Sequence, residues 1–439
     1  MKLTRRSMLM SSTALVLASA MSRAQADVNR PELVAGIPVN YDESKVGDWR
    51  LPDILTTENG EAVRTAEDWF LKRRPEILRM FEELQYGAAP GKPEALAFET
   101  RESGSAAYGG KAVRKQVRIT FQPDRSGPAI DLVVYTPAAA AAPSPMLLAV
   151  GFTSNAAMLE DPDVNPGSIW SADENRRIPY ERGSQTFFGK IDPVPLLDAG
   201  IGFATFYYGD VDPDDPDGLM QGVRSLYLKP GETAVAADAW GSIAAWGWGI
   251  SRIIDYFEED EDIDAAQIAI QGVSRLGKTV MWAGARDTRI AATIASCSGE
   301  GGAALSRRNY GETIAHLVEP SRYPYQFAAN YAKFADRPTE APFDANLLVA
   351  LHAPRPLLLQ TGDTDHWSDP KGEFLAAVDA GKAYRLLRKI DLGTDVWPAA
   401  GRPILGDLSY YMHEGGHGTI PSDWDVYLRF LKMHLQPKV

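Results

Sequence analysis

The chain turns on Ile268-Ala-Ile-Gln-Gly-Val-Ser-Arg-Leu-Gly-Lys-Thr-Val-Met-Trp-Ala-Gly-Ala285. Its opening residues read as a short buried strand, Gly272-Val273-Ser274-Arg275 turns sharply, and small and apolar residues then continue at helical spacing. A serine held between strand and helix is forced into a strained backbone conformation with its Oγ exposed. The N–H groups that follow open a helix, where negative charge is favoured. An acyl-transfer nucleophile requires this arrangement. A Gly-rich turn ahead of a helix can also serve nucleotide phosphates, and here the second glycine, Gly277, falls one residue later than in Gly-x-Ser-x-Gly. The rest of the chain decides between the two.

Working outward, residues 236–257 read as a long apolar helix in which Trp240, Trp246 and Trp248 pack. Strand patterns occur at 95–100, 116–121, 130–135, 146–154 and 200–208 before the serine, and at 290–296, 356–360 and 405–412 after it, with a helix over 371–383. Strands alternating with helices place the chain in the α/β class, as a three-layer sandwich with a mostly parallel central sheet and inserted loops. Ligands then bind at the carboxyl ends of the strands. The order suits an α/β-hydrolase, in which the loop ending 146–154 supplies the second oxyanion donor. Residues 65–87 read as a capped helix that Pro75 divides in two. The stretch 155–192, with Trp170, Arg176, Arg177 and Arg182, reads as an insertion above the sheet, and 210–217 as an acidic, solvated loop without calcium-loop spacing.

Residues 1–26 stand apart as a signal peptide. Thr4-Arg-Arg-Ser-Met-Leu9 is a twin-arginine pattern, an apolar run too short to span a bilayer follows, and Ala24-Gln-Ala26 marks cleavage after Ala26. Residues 27–439 are then one catalytic domain beginning with an extended arm, and the expected location is periplasmic or secreted. Loss of Lys2, Arg5, Arg6 and Arg23, with no acid, takes the formal charge from −13 to −17. So acidic a chain is a poor partner for nucleic acid or an anionic membrane surface. Cys297 is the one cysteine, so no internal disulfide forms. No metal or organic cofactor is implied, and the chain is expected to be a monomer.

A serine nucleophile needs a base, and the base needs an acid to orient it. Of six histidines, His434 lies in the terminal helix, His352 precedes a strand, His316 is mid-helix and His366 neighbours the acid loop. His413 and His417 sit in Tyr411-Met-His-Glu-Gly-Gly-His-Gly418, the loop after the last strand, where this fold places its base. His417, flanked by glycines, is the choice and His413 the runner-up. Leu357-Leu-Leu-Gln-Thr-Gly-Asp-Thr-Asp-His-Trp-Ser-Asp369 is a strand running into a loop with three candidate acids, Asp363, Asp365 and Asp369. Lys278, four residues beyond the serine on the following helix, shares its face. Trp367, in a polar loop, offers an apolar face to a sugar or aromatic ring.

Gly272-Val-Ser-Arg-Leu-Gly-Lys278 resembles the signature of the glucuronoyl esterases, carbohydrate esterase family fifteen, and its late glycine is that family's own departure. The resemblance continues through Arg289-Ile-Ala-Ala-Thr-Ile294, Gly301-Gly-Ala-Ala304, Asp365-His-Trp367 and Arg73-Arg-Pro-Glu-Ile-Leu78 with Tyr86-Gly87. It implies hydrolysis of esters between glucuronic or 4-O-methylglucuronic acid on glucuronoxylan and lignin alcohols, with these lignin-carbohydrate esters as substrate. By the same resemblance Ser274 is the nucleophile, His417 the base and Arg275 the oxyanion stabiliser, while Lys278, Glu319 and Trp367 bind the sugar. Fungal members carry their acid where this chain has Cys297, so the acid is expected at Asp365, as in bacterial members, with Asp363 and Glu300 as alternatives. Two other readings are an acetyl-xylan or feruloyl esterase and a catalytically dead carbohydrate-binding protein.

Overall fold

Alternate residues of the strand before Ser274 enter two different cores, which is why Ile268-Ala-Ile270 is apolar on both faces. Ile268 and Ile270 join one buried cluster and Ala269 the other. The same division holds in the neighbouring strand, with Met146, Leu148 and Val150 on one side and Leu147 and Ala149 on the other. Strands covered on both faces belong to a parallel sheet with a helical layer on each side. The computed structural model describes residues 30–47, 49–183, 186–232 and 235–436, and the signal peptide expected over 1–26 lies outside them.

The central sheet has nine strands: β1 (Ala97–Ala107), β2 (Ala112–Thr120), β3 (Ala129–Pro137), β4 (Ser144–Gly151), β5 (Gly202–Tyr207), β6 (Ile263–Val273), β7 (Ile290–Ser296), β8 (Leu357–Gly362) and β9 (Leu408–His413). Their order is β9-β8-β7-β6-β4-β5-β3-β2-β1. Strands β9 to β5 pair in parallel, and β3, β2 and β1 add antiparallel. The fold is that of an α/β-hydrolase. From β4 the chain places β5 on one side and then β6 on the other, so the strand order reverses between β4 and β6. Ser274 leaves β6 at that switch, where open α/β sheets bind their ligands.

Among the described residues five longer helices flank the sheet: α1 (Arg74–Leu84), α2 (Ser242–Phe257), α3 (Arg275–Arg286), α4 (Pro370–Leu386) and α5 (Pro421–His434). No helix among the described residues is long and apolar enough to cross a membrane. Helix α2 begins later than its apolar pattern, because a Cβ on Gly241 would lie 2.4 Å from the Gln326 carbonyl oxygen and the backbone there stays extended. Trp246 and Trp248 are buried on α2, and Trp240 packs just ahead of it.

Pro75 does not split its helix as expected. Residues Trp69–Arg73 widen into a π-turn in which the Arg74 N–H donates to the Trp69 carbonyl, five residues back, and α1 runs on. The extra residue in the turn accommodates a proline that has no N–H to give. The acidic stretch 210–217 is solvated only toward its end, at Pro216 and Asp217. Asp210 and Asp212 are buried against Arg177 and Arg224, and Asp214 meets Arg275. Burial, helped by the charge of Asp131, pushes the Asp210 carboxyl up to about 7, with the Arg177 guanidinium opposing the shift.

Candidate active site

The late glycine has a steric cause. A Cβ on Gly277 would stand 2.7 Å from the Ser296 carbonyl oxygen at the end of β7, and one on Gly272 2.3 Å from the Leu276 carbonyl oxygen. The turn therefore needs glycine where α3 crosses β7, one residue later than the usual pattern supplies it. Between them Ser274 is held at φ 59°, ψ −126°, a region that side-chain-bearing residues rarely occupy. Its N–H donates to the Ser296 carbonyl at 2.8 Å, and its own carbonyl accepts from the Lys278 N–H at 3.0 Å. Strand pairing and helix start thus clamp the serine from both sides.

Ser274 opens onto a cavity of about 190 Å³ that Arg275, Lys278, Asp365, Trp367 and His417 also line. His417 Nδ1 lies 2.7 Å from Asp365 Oδ2, with the Ser368 hydroxyl at 3.2 Å. A proton on Nδ1 donated to the carboxylate leaves Nε2 as an acceptor. Burial raises the Asp365 pKa, but the hydrogen bond and charge of His417 outweigh it, and the carboxyl falls below its ordinary range. The acid is therefore ionised at neutral pH.

His413 is not in this cavity. Its Nδ1 meets Asp423 at 2.9 Å and its Nε2 the Gly416 carbonyl at 3.0 Å, so it braces the loop that carries His417. Asp363 accepts from the Gly415 N–H at 2.9 Å and faces a different cavity. Asp369 caps α4 and pairs with Arg308 at 2.8 Å. Glu300 is buried and takes hydrogen bonds from Ser306 and Tyr331, with its carboxyl pushed up to about 8 by burial. A neutral acid away from His417 cannot orient it, so Glu300 does not fill the role held open for it.

That raised pKa has a measurable sign. Glu300 is protonated in the fold up to about pH 8 but ionised above about 4.5 when unfolded, so folding takes up a proton between these values. Stability is greatest below the lower value and falls as pH rises toward the upper, by about 1.4 kcal/mol per pH unit for one such group. In urea titrations from pH 5 to 8, Glu300→Gln is expected to remove that slope relative to wild type. A difference that does not change with pH would mean that Glu300 is ionised in the fold.

Cys297 is buried at the end of β7, at φ 46°, and its thiol sits beside the Gly418 backbone. Burial pushes its pKa well up. Among the described residues Cys297, Asp365 and His417 form one group whose ligand atoms lie within 4.8 Å. They suit a metal poorly, since a protonated thiol is a weak ligand and the 2.7 Å hydrogen bond already occupies the facing atoms of Asp365 and His417.

Part of the cavity lining is charged. Lys278 is buried, and burial lowers its pKa while Glu312, 3.9 Å away, works against the shift. Glu312 also pairs with Arg322 at 2.8 Å, and the Arg322 guanidinium covers both Tyr323 and Trp367. The Arg275 guanidinium is tied to Asp214 and lies 4.6 Å from the Tyr323 ring centre. Asp214 also accepts from Tyr208 and Tyr325, both at 2.9 Å, and from Gln326 at 2.7 Å. A guanidinium held by so many fixed groups presents its remaining N–H donors without reorganising.

Two expectations fail here. Glu319 turns back onto the Ser321 N–H at 2.8 Å and lines no part of the cavity, and Glu312 stands in the place expected of it. The loop after β4 does not line the cavity either, because Phe152 there packs against Phe187, Phe188 and Tyr208. Arg275 does line it, beside Ser274. Glu312, Arg322, Tyr323 and Gln326 went unnoticed in the sequence. One signal was present: Gly311 precedes Glu312 at φ 63°, where a Cβ would come within 2.5 Å of the His366 and Trp367 carbonyls. The insertion also reaches the site, since Phe188 meets the His417 ring edge-on at 5.8 Å.

A strained serine at a strand-to-helix turn, with a His–Asp couple lining the same cavity, defines a serine hydrolase of the α/β-hydrolase class. Residues 199–387 match the model of the fungal glucuronyl esterase family. A carbohydrate esterase from an unknown prokaryotic organism is 39% identical over 403 residues, covering 90% of this chain and 92% of that protein. A 4-O-methyl-glucuronoyl methylesterase of Schizophyllum commune is 28% identical over 391 residues, 87% and 82% of the two chains. The solved glucuronoyl esterase from Solibacter usitatus is 41% identical, covers 89% of this chain and 100% of its own, and superposes with a TM-score of 0.84. The chain belongs to the glucuronoyl esterases, carbohydrate esterase family fifteen, and is a carboxylic ester hydrolase.

Proposed function

We propose that this chain hydrolyses esters of D-glucuronic and 4-O-methyl-D-glucuronic acid on glucuronoxylan with lignin alcohols, through an acyl-enzyme. Ser274 Oγ attacks the ester carbonyl as His417 Nε2 takes its proton, and Asp365 holds the ring and stabilises the imidazolium. Arg275, through its N–H and guanidinium, stabilises the oxyanion. His417 returns the proton to the departing alcohol, and water then releases the uronic acid by the same steps in reverse. The observation that carries this reading is the Lys278–Glu312–Arg322 group lining the same cavity as the nucleophile, which matches the hydroxyls of a sugar. A bare acetyl group would leave those side chains without a partner at a desolvation cost.

The test sets benzyl D-glucuronate against acetylated xylan. The expected result is turnover of the glucuronate ester with acetyl release at least about a hundredfold slower, since polar groups left unpaired are heavily penalised. The reverse preference would assign the chain to the acetyl esterases, and loss of both activities to a dead binding protein. Export through the twin-arginine route, with a mature start at Asp27, belongs to the same proposal and rests on the Thr4–Leu9 pattern. N-terminal sequencing of protein recovered from the periplasm checks it, and a start at Met1 would overturn it.

A further inference from the structure

The loop carrying Asp365 is a wall with two sides. Asp365, Trp367 and Ser368 face the cavity over Ser274, whereas Asp363, Thr364 and His366 line a second cavity of about 700 Å³. The loop after β9 is shared in the same way, giving His417 to the first and Glu414 to the second. The far wall of the second cavity is Trp397-Pro398, from the segment between α4 and β9, with Met412. Trp397 is 38% exposed, while Trp69, Trp246 and Trp282 are buried. Its indole is nonetheless fixed, since Nε1 donates to the Tyr410 hydroxyl at 3.2 Å, and that hydroxyl donates to the Pro370 carbonyl at 2.8 Å.

An exposed aromatic ring held by its polar edge keeps its faces for a ligand at little entropic cost. Lining the same cavity are two acids, Asp363 and Glu414, and the hydroxyl-bearing Thr364. A pyranose ring combines the two chemistries needed, an apolar C–H face for the indole and hydroxyls around its rim for the carboxylates. A plain aryl ring would satisfy the indole and strip water from the acids without replacing it. Two carboxylates against the single guanidinium of Arg30 also disfavour an anionic sugar.

Size separates the two cavities as well. That over Ser274, at about 190 Å³, takes no more than one sugar ring, while the second lies in the usual range for ligand sites, about 300–1,000 Å³. We propose that the cavity between Trp397 and the Asp363–His366 segment is a second carbohydrate site, which binds neutral pyranosyl units of the chain bearing the ester. This rests on the glucuronoyl-esterase reading for its substrate, but not for its chemistry.

The test measures binding of xylohexaose, which has no ester, by calorimetry, and turnover of benzyl glucuronate and of a glucuronoxylan-borne ester. Trp397→Ala is expected to weaken xylohexaose binding about tenfold and to raise KM on the polymeric ester about as much. Its kcat on benzyl glucuronate should stay within about twofold of wild type, and Trp397→Phe should keep most of the binding. The site is refuted if Trp397→Ala binds xylohexaose as wild type does. It is equally refuted if a lignin-type aryl ether dimer, and not xylohexaose, binds in a Trp397-dependent way. If wild type fails on benzyl glucuronate but binds xylohexaose through Trp397, the esterase reading falls and the site stands.

Discussion

Ser274→Ala is expected to lower kcat on benzyl glucuronate by about 10⁵- to 10⁶-fold while the protein remains folded. The loss is large because no neighbouring group can replace the hydroxyl: Cys297 is buried with its thiol protonated, and no other serine or threonine but Ser368 lines the cavity among the described residues. Residual turnover, from Arg275 and binding alone, should still exceed the uncatalysed rate. The backbone at φ 59°, ψ −126° makes the experiment more informative. Alanine is as strained there as serine, whereas Ser274→Gly relieves that strain and should raise stability by about 1–2 kcal/mol. A variant both dead and more stable would identify strain kept for the nucleophile. More than about one per cent of wild-type kcat in either variant would remove Ser274 from the chemistry.

Asp365→Asn should cost about 10⁴ in kcat with little change in KM. The substitution keeps the shape of the side chain but turns the acceptor facing His417 Nδ1 into a donor. The ring must then carry its proton on Nε2, where it can no longer accept one from Ser274. The alternatives cannot step in, because Asp363 lines the other cavity and Glu300 is a neutral, buried acid. A loss smaller than about tenfold would place the orienting acid elsewhere.

How much of this could be read from the sequence depends on how local the cause was. The strand, the turn and α3 are specified by contiguous residues, so the place of Ser274 at a strand-to-helix turn was legible, as were those of Asp365 and His417 in the loops after consecutive sheet strands. The lateness of Gly277 comes from β7 crossing beneath α3, a contact no pattern along the chain records. Residues 305–345 hold Gln326 in a short helical turn and Glu312, Arg322 and Tyr323 between such turns, without periodicity, so nothing in spacing set Glu312 above Glu319. Composition misled at 210–217. Clustered aspartates suggest solvent, which holds for Asp217, but Asp210, Asp212 and Asp214 pair with Arg177, Arg224 and Arg275, which lie 33, 12 and 61 residues away.

The single thiol has a use for kinetics. Cys297 is 1% exposed, touches Gly418 beside His417 and lines the cavity over Ser274, so a thiol reagent reaches it through that cavity as the loops around His417 move apart. With no second cysteine to compete, the rate of modification counts openings of that one corner, and substrate in the cavity should slow it by holding the loops together. The chain thus carries an internal clock for the breathing of its own catalytic corner.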